Sequence, residues 1–240
     1  MYQARNYRKG LRASGLVSFT VVEAETDLFV MAERNLTEEI SLAVKKYRKL
    51  INEYIEQHPT FKDSLVPLTA DKDAAEIIKH MCMASELANV GPMAAVAGAI
   101  AHYVGNDIIL LSNELIIENG GDIFLNSATD KVVSVYAGDS PLTNKIAVRI
   151  LAEQMPLGVC TSSGTVGHSL SFGKADAAMV IAKDTLLADA VATKLGNMIQ
   201  TAADINRSLE LVAEIAGVSG ALVIIDDQLG VIGDIELVEP

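Results

Sequence analysis

Three groups of residues in this 240-residue chain have the types and spacing to do chemistry. The first is Asp189 and Thr193, within Ala188-Asp189-Ala190-Val191-Ala192-Thr193. At i and i+4 of a helix their oxygens share one face. A carboxylate and a hydroxyl among small neighbours suit a hard cation such as Mg2+, which keeps other positions for water and substrate phosphates. The second is Glu118-Asn119-Gly120-Gly121-Asp122, between two apolar runs. Asn-Gly is a strong hairpin signal, but the paired glycines also let a ligand approach free backbone amides. Asn119 and Asp122 can hydrogen-bond the polar edge of a ring or a sugar. The third runs from Cys160 to His168. A loop rich in hydroxyls and glycine after a strand suits phosphate binding through backbone amides, here Thr161, Ser162, Ser163 and Gly164. His168 is the one histidine set in such a loop; His58 precedes a helix-ending proline, and His80 and His102 fall in helices.

Spacing argues against several other chemistries. The Lys and the GxxxxGK pattern of a P-loop are missing, as is the G-x-S-x-G of a nucleophile elbow. No cluster of cysteines and histidines has zinc spacing, so the sequence leads to no expectation of a structural zinc. Cys82 and Cys160 are too few for a disulfide framework and read as packed thiols in a reducing compartment.

The elements that must position these groups alternate between strands and helices. Residues 16–22 and 28–30 read as a hairpin turning at Glu23 to Asp27. A helix follows, with Asn35 and Glu38 in capping-box-like spacing and an apolar stripe of Ile40, Ala43, Val44, Tyr47, Leu50, Ile51, Tyr54 and Ile55. His58-Pro59 ends it. A second helix is expected from Asp71 or Asp73, broken at Gly91-Pro92, with a third over roughly 92–104 that is rich in Ala and Gly. Strand-like runs follow at 115–117, 123–125, 131–137, 146–151, 157–161 and 176–182, then helices at 185–203 and 206–216, then strands at 220–226 and 230–238. Turns this short favour antiparallel pairing. The layout is α+β, and its rough symmetry predicts one domain over residues 1–240, made of two sheet-plus-helix halves.

Composition narrows the function classes. Lys+Arg number 19 against 31 Asp+Glu, a formal net charge of −12, which argues against a nucleic-acid surface. An uninterrupted apolar stretch of about 18 residues, as a membrane span needs, is missing, and an apolar segment does not follow the basic N-terminus. The expectation is a soluble cytoplasmic protein with no membrane partner. Exposed edges of antiparallel sheets could pair two copies in a homodimer.

In combination the motifs are more specific. The Asn119-Gly120-Gly121-Asp122-Ile123 hairpin, the strand ending in Thr161-Ser162-Ser163-Gly164 with His168 soon after, and the A-D-A-x-A-T helix from Ala188 to Thr193 occur in the order found in the flavin transferase family ApbE, which this chain resembles. Gly98-Ala99-Ile100-Ala101 resembles that family's G-x-I-A-K-G helix start, with His102 in place of the Lys. The resemblance covers roughly residues 90–200 and points to a shorter, cytoplasmic branch. It implies a fold of duplicated antiparallel sheet-plus-helix units like the T-fold. It also implies an activity in which Mg2+ helps move FMN from FAD onto a Thr or Ser of an acceptor protein. On that basis Asp189 and Thr193 hold the metal, with a backbone carbonyl near Ala99 as a third ligand. Asn119, Gly120, Gly121 and Asp122 line the flavin nucleotide pocket, Thr161 to Gly164 sit beside them, and His168 takes the place of the base.

The leading expectation is therefore Mg2+-dependent FMN transfer or pyrophosphate cleavage of FAD. The alternative is a protein that binds a flavin nucleotide without turning it over, and a third is a purely structural subunit. An acidic chain that binds a diphosphate needs local charge compensation, which a metal on Asp189 and Thr193 would supply.

Overall fold

The computed structural model describes Arg8, residues 15–166 and residues 171–240. Strand β1 (Val17–Glu23) and β2 (Thr26–Ala32) form the first hairpin, in register from Val17↔Ala32 to Glu23↔Thr26. Helices α1 (Thr37–Gln57), α2 (Thr60–Asp63), α3 (Glu76–Ala88) and α4 (Val96–Ile108) follow, then β3 (Leu115–Asn119) and β4 (Asp122–Asn126). Two short strands, β5 (Lys131–Ser134) and β6 (Ala147–Ile150), lead to β7 (Leu157–Ser162) and β8 (Ala177–Ala182). Helices α5 (Thr185–Met198) and α6 (Ile205–Ala213) precede β9 (Val218–Ile225), β10 (Gln228–Gly233) and β11 (Glu236–Val238).

Eight strands form one antiparallel sheet in the order β1-β2-β3-β4-β7-β8-β9-β10, and β11-β6-β5 form a second, three-stranded sheet. Each end of the large sheet is a hairpin, a set of helices and a second hairpin in chain order, and the β4–β7 ladder joins them. The helices cover one face of the large sheet. Leu28, Val30, Leu115, Ile117, Val180 and Val223 pack into that layer. Their neighbours Met31, Ile116, Met179, Ile181, Leu222 and Ile224 point the other way, against Val148 and Ile150 of the small sheet. With both faces buried, β8 and most of β9 are apolar at every position and lose the in–out alternation of a half-solvated strand.

Local boundaries refine the expected ones. Ile40, Ala43, Val44, Tyr47 and Ile51 form the buried stripe of α1 as expected, but Asn35 works alone there, its side chain accepting the Thr37 amide at 2.9 Å. Helix α3 starts at Glu76, later than Asp71 or Asp73, and ends on Asn89 in the left-handed conformation. Pro92–Ala95 form a 3-10 turn before α4, which runs on to Ile108. Helix α5 stops at Met198, short of residue 203, because Ile199 is extended and its carbonyl accepts the Lys174 amide at 2.7 Å. The last expected strand divides at Gly233, whose φ of +82° turns β11 out of the large sheet and onto β6.

Candidate functional site

The first turn of α4 points its amides at α5. The Asp189 carboxylate accepts the Gly98 amide at 2.7 Å, with the Ala97 amide adding to it. This contact needs glycine: a Cβ on Gly98 would lie 2.6 Å from the Thr185 carbonyl oxygen and 2.8 Å from the Asp189 Cβ. A carboxylate at a helix N-terminus satisfies amides that have no partner within the helix and meets the positive end of its dipole. On the other side the Asn119 side-chain amide donates to the Ala97 carbonyl at 3.1 Å. The end of β3 and the middle of α5 thus grip the same helix start.

Asn119 and Asp122 face each other across a two-residue turn. Gly120 and Gly121 have φ of +72° and +111°, as the primed hairpin turns demand of their central residues, so the turn alone accounts for both glycines. The Gly121 amide donates to Glu118 Oε1 at 2.8 Å, and the Thr161 amide donates to the Gly121 carbonyl at 3.2 Å. Glu118 is also paired with the Arg8 guanidinium, which reaches Asp27 Oδ1 at 2.7 Å and the Asp27 carbonyl at 2.8 Å. Arg8 therefore ties β2 to β3 beside the turn. The register places Asp122 opposite Cys160, whose thiol lies between the Asp122 carboxylate and the Thr185 carbonyl, 3.5 Å from the latter.

Asp122 and Asp189 form a buried carboxylate pair, each 8% exposed. Burial pushes Asp189 up to about 7 against the pull of the Gly98 and Ala97 amides. Burial, then the charge of Asp189, holds Asp122 well above the usual carboxylate range. Cys160 is raised as well, by burial and then by Asp122. Among the described residues no Lys or Arg lies within ion-pair distance of either carboxylate. Two like charges in a low-dielectric setting favour one shared proton or a cation between them. Two carboxylates suit a hard ion such as Mg2+, which takes oxygen ligands.

The other expected residues are distributed around this pair. Thr193 is half-buried one turn beyond Asp189 on α5. Ala99 is buried in α4, while the carbonyl bonded to Asn119 belongs to Ala97. Thr161 and Ser162 close β7; Ser162 lies beneath Gly196 of α5, where a Cβ would sit 3.3 Å from its hydroxyl. Ser163 turns inward on its own loop, its hydroxyl accepting the Thr165 and Val166 amides at 3.1 and 2.9 Å. The Gly164 amide donates to Ala175, and the Thr165 hydroxyl donates to Asp176. His168 lies outside the described residues. Surface clefts of about 300 Å³, at Gln154, Lys183 and Asp234, and about 280 Å³, at Asp139, Asp176 and Asp226, are not lined by the carboxylate pair.

Sequence reasoning missed the tie through Arg8 and Glu118, the placing of Cys160 beside Asp122, and the direct Gly98–Asp189 contact. An isolated arginine in a basic terminus gives no sign of its partner. Gly98, as the helix-breaking residue in an Ala-rich start, does carry a signal of close approach.

A family model described as AbpE bacteria matches residues 8–221. The chain belongs to this family. Among its relatives, a UPF0280 protein of Methanocaldococcus jannaschii is 43% identical over 202 residues, covering 82% of each chain. Another, from Methanococcus vannielii, is 40% identical over 213 residues, covering 87% of this chain and 83% of its own. The AbpE fold is shared with solved flavin transferases. The apo flavinyl transferase ApbE of Pseudomonas stutzeri superposes with a TM-score of 0.59 at 14% identity, over 90% of this chain and 93% of its own. The flavin transferase ApbE of Vibrio cholerae gives 0.55 at 11% identity, over 90% and 96%. The expected resemblance and the α+β class are thus borne out, and these identities speak to fold alone.

Proposed function

We propose that this AbpE-family chain binds FAD or a related flavin nucleotide with Mg2+ and breaks its pyrophosphate bond, passing FMN to a hydroxyl of an acceptor protein or to water. The observation that carries this reading is the buried Asp122–Asp189 pair, set at the start of α4 and beside the β3–β4 turn. Asp189 and Thr193 are assigned to the ion, with Asp122 beside them and a backbone carbonyl near Ala99 completing the protein ligands. When bound, Mg2+ supplies neutralisation of the charge that develops on the pyrophosphate.

The chain's own residues do the positioning. The Gly98 and Ala97 amides hold the Asp189 carboxylate in one orientation. Glu118, Gly121 and Thr161 lock the hairpin end against β7, so Asp122 is presented from a rigid element. Asn119, Gly120, Gly121 and Thr161 to Gly164 are assigned to the nucleotide, and His168 to the proton of the attacking hydroxyl. We read the two hairpin–helix–hairpin stretches as a T-fold-like duplication within one domain over residues 1–240. The two free cysteines suit a reducing, cytoplasmic setting.

The test is to incubate the full chain with FAD and Mg2+ and to follow AMP release with and without acceptor proteins. AMP only with acceptor identifies transfer; AMP without acceptor identifies hydrolysis. Asp189→Asn should abolish either. FAD binding with no AMP under any condition overturns the catalytic reading in favour of a protein that binds the nucleotide without turnover.

A further inference from the structure

Three helices bring a second group of ligating side chains together, away from the carboxylate pair. His80 comes from α3, His102 from α4, and Asp184 caps the start of α5. One ring nitrogen from each histidine and one Asp184 oxygen all lie within 4.8 Å of one another. His80 Nε2 is 2.8 Å from Asp184 Oδ2, and Asp184 Oδ1 accepts the Leu186 amide at 2.9 Å. The other side of the His80 ring is fixed by the Tyr103 hydroxyl, 3.3 Å from Nδ1. The two imidazoles meet edge to face at 5.5 Å between centroids.

A structural His–Asp pair capping α5 explains two of these residues and leaves the third without a task. His102 Nδ1 is buried with no hydrogen-bond partner among the described atoms. Thr185 Oγ1, on the residue after Asp184, is likewise buried without one. Buried polar atoms in native proteins nearly always have a partner, and an orphaned one points to a missing water or ion. An oxygen-only occupant such as Mg2+ does not suit a set with two imidazoles. Nitrogen ligands from histidine with one carboxylate suit the borderline divalent transition ions, of which Zn2+ is the commonest, and three protein ligands leave a position for water.

We propose that His80, His102 and Asp184 form a binding site for one divalent transition-metal ion of the Zn2+ class. The site shares α4 and α5 with the carboxylate pair, but its α5 ligand, Asp184, lies about 7.5 Å back along the helix axis from Asp189, at ~1.5 Å per residue. Its ligands come from three packed helices, so the metal cross-braces the layer that positions Gly98 and Asp189. This inference does not rest on the flavin reading and survives its failure.

The test uses the full chain, stripped with a chelator and dialysed. Zn2+ is titrated by calorimetry and Co2+ by visible absorption, with millimolar Mg2+ present throughout. The expected result is one equivalent of either ion, intensified Co2+ ligand-field bands and a raised Tm with Zn2+. His102→Gln and Asp184→Asn should each weaken Zn2+ binding at least tenfold, while His58→Gln should leave it unchanged. If a variant does not fold by far-UV circular dichroism, the wild-type chain decides. Co2+ should then shift or broaden the imidazole proton resonances of His80 and His102 and spare those of His58. The proposal is overturned by absent or non-saturable binding, by affinity retained in folded His102→Gln, or by paramagnetic effects that bypass His80 and His102.

Discussion

The Asp189 carboxylate of α5 and the Asp122 carboxylate of β4 share one buried site; the Gly98 and Ala97 amides support Asp189, and the Thr161 amide and the Cys160 thiol support Asp122. The pair is costly as two bare anions and much less so with a proton or a cation between them. Its consequences can be measured.

The first concerns pH. Asp189 is raised from 3.8 to about 7 in the folded chain, so the native state binds this proton more tightly than the unfolded state does. Stability is then fully present below the unfolded value and falls as pH rises from about 4 to 7, by up to roughly 4 kcal/mol. Asp122 has the same sign. Urea unfolding at pH 5 and pH 7.5 in EDTA should show the drop, and Asp189→Asn should reduce it, leaving the part that the burial of Asp122 contributes.

Mg2+ should reverse that loss. The ion competes with the proton, so its effect on Tm should be small at pH 5 and large at pH 8, with proton release on binding. Thermal melts with 5–10 mM Mg2+ (on the order of physiological and above) read this directly. Equal shifts at both pH values, or a shift retained in Asp189→Asn, would remove the ion from this pair.

Gly98→Ala should destabilise the chain despite the helix propensity of alanine. The gain of about 1 kcal/mol from replacing a helical glycine is outweighed by a Cβ placed 2.6 Å from the Thr185 carbonyl, which forces α4 and α5 apart. The expected net loss is about 1–3 kcal/mol, the range for overpacking. Equilibrium denaturation with an unchanged m-value is the check.

Arg8→Ala should cost about 3 kcal/mol, the scale of breaking a buried ion pair from one side. The Arg8 side chain is only 11% exposed, and its guanidinium joins Asp27 to Glu118. Glu118→Gln keeps the acceptor for the Gly121 amide and should cost less. If both variants unfold at the wild-type denaturant midpoint, the tie between β2 and β3 contributes nothing.

The fold was legible where one face of an element is polar. The stripe of α1 stands out because Lys45, Lys46, Arg48 and Lys49 line its other side. The hairpins were legible from their turns. What could not be read was the second layer on the far side of the large sheet. Strands buried on both faces carry no alternation, and nothing local assigns β11 to β6 across the chain. Of the carboxylate pair, helical spacing picks out Asp189 and the hairpin turn picks out Asp122. Their convergence depends on the Asp122↔Cys160 register and on the absence of a side chain at Gly98. Register of that kind is set by packing across layers and leaves no trace in either segment alone.

The β4–β7 ladder has one further consequence. It runs from Leu125↔Leu157 to Asp122↔Cys160 and, among the described residues, is the one strand pairing between the first four strands of the large sheet and the last four. Asp122 stands on one side of this seam and Asp189 on the other. Whatever holds both carboxylates at once acts as a rivet across it. Slowed amide exchange on binding should therefore spread into β3 and β8 alike, and a chain nicked between residues 127 and 146 should stay assembled longer with the ligand than without it.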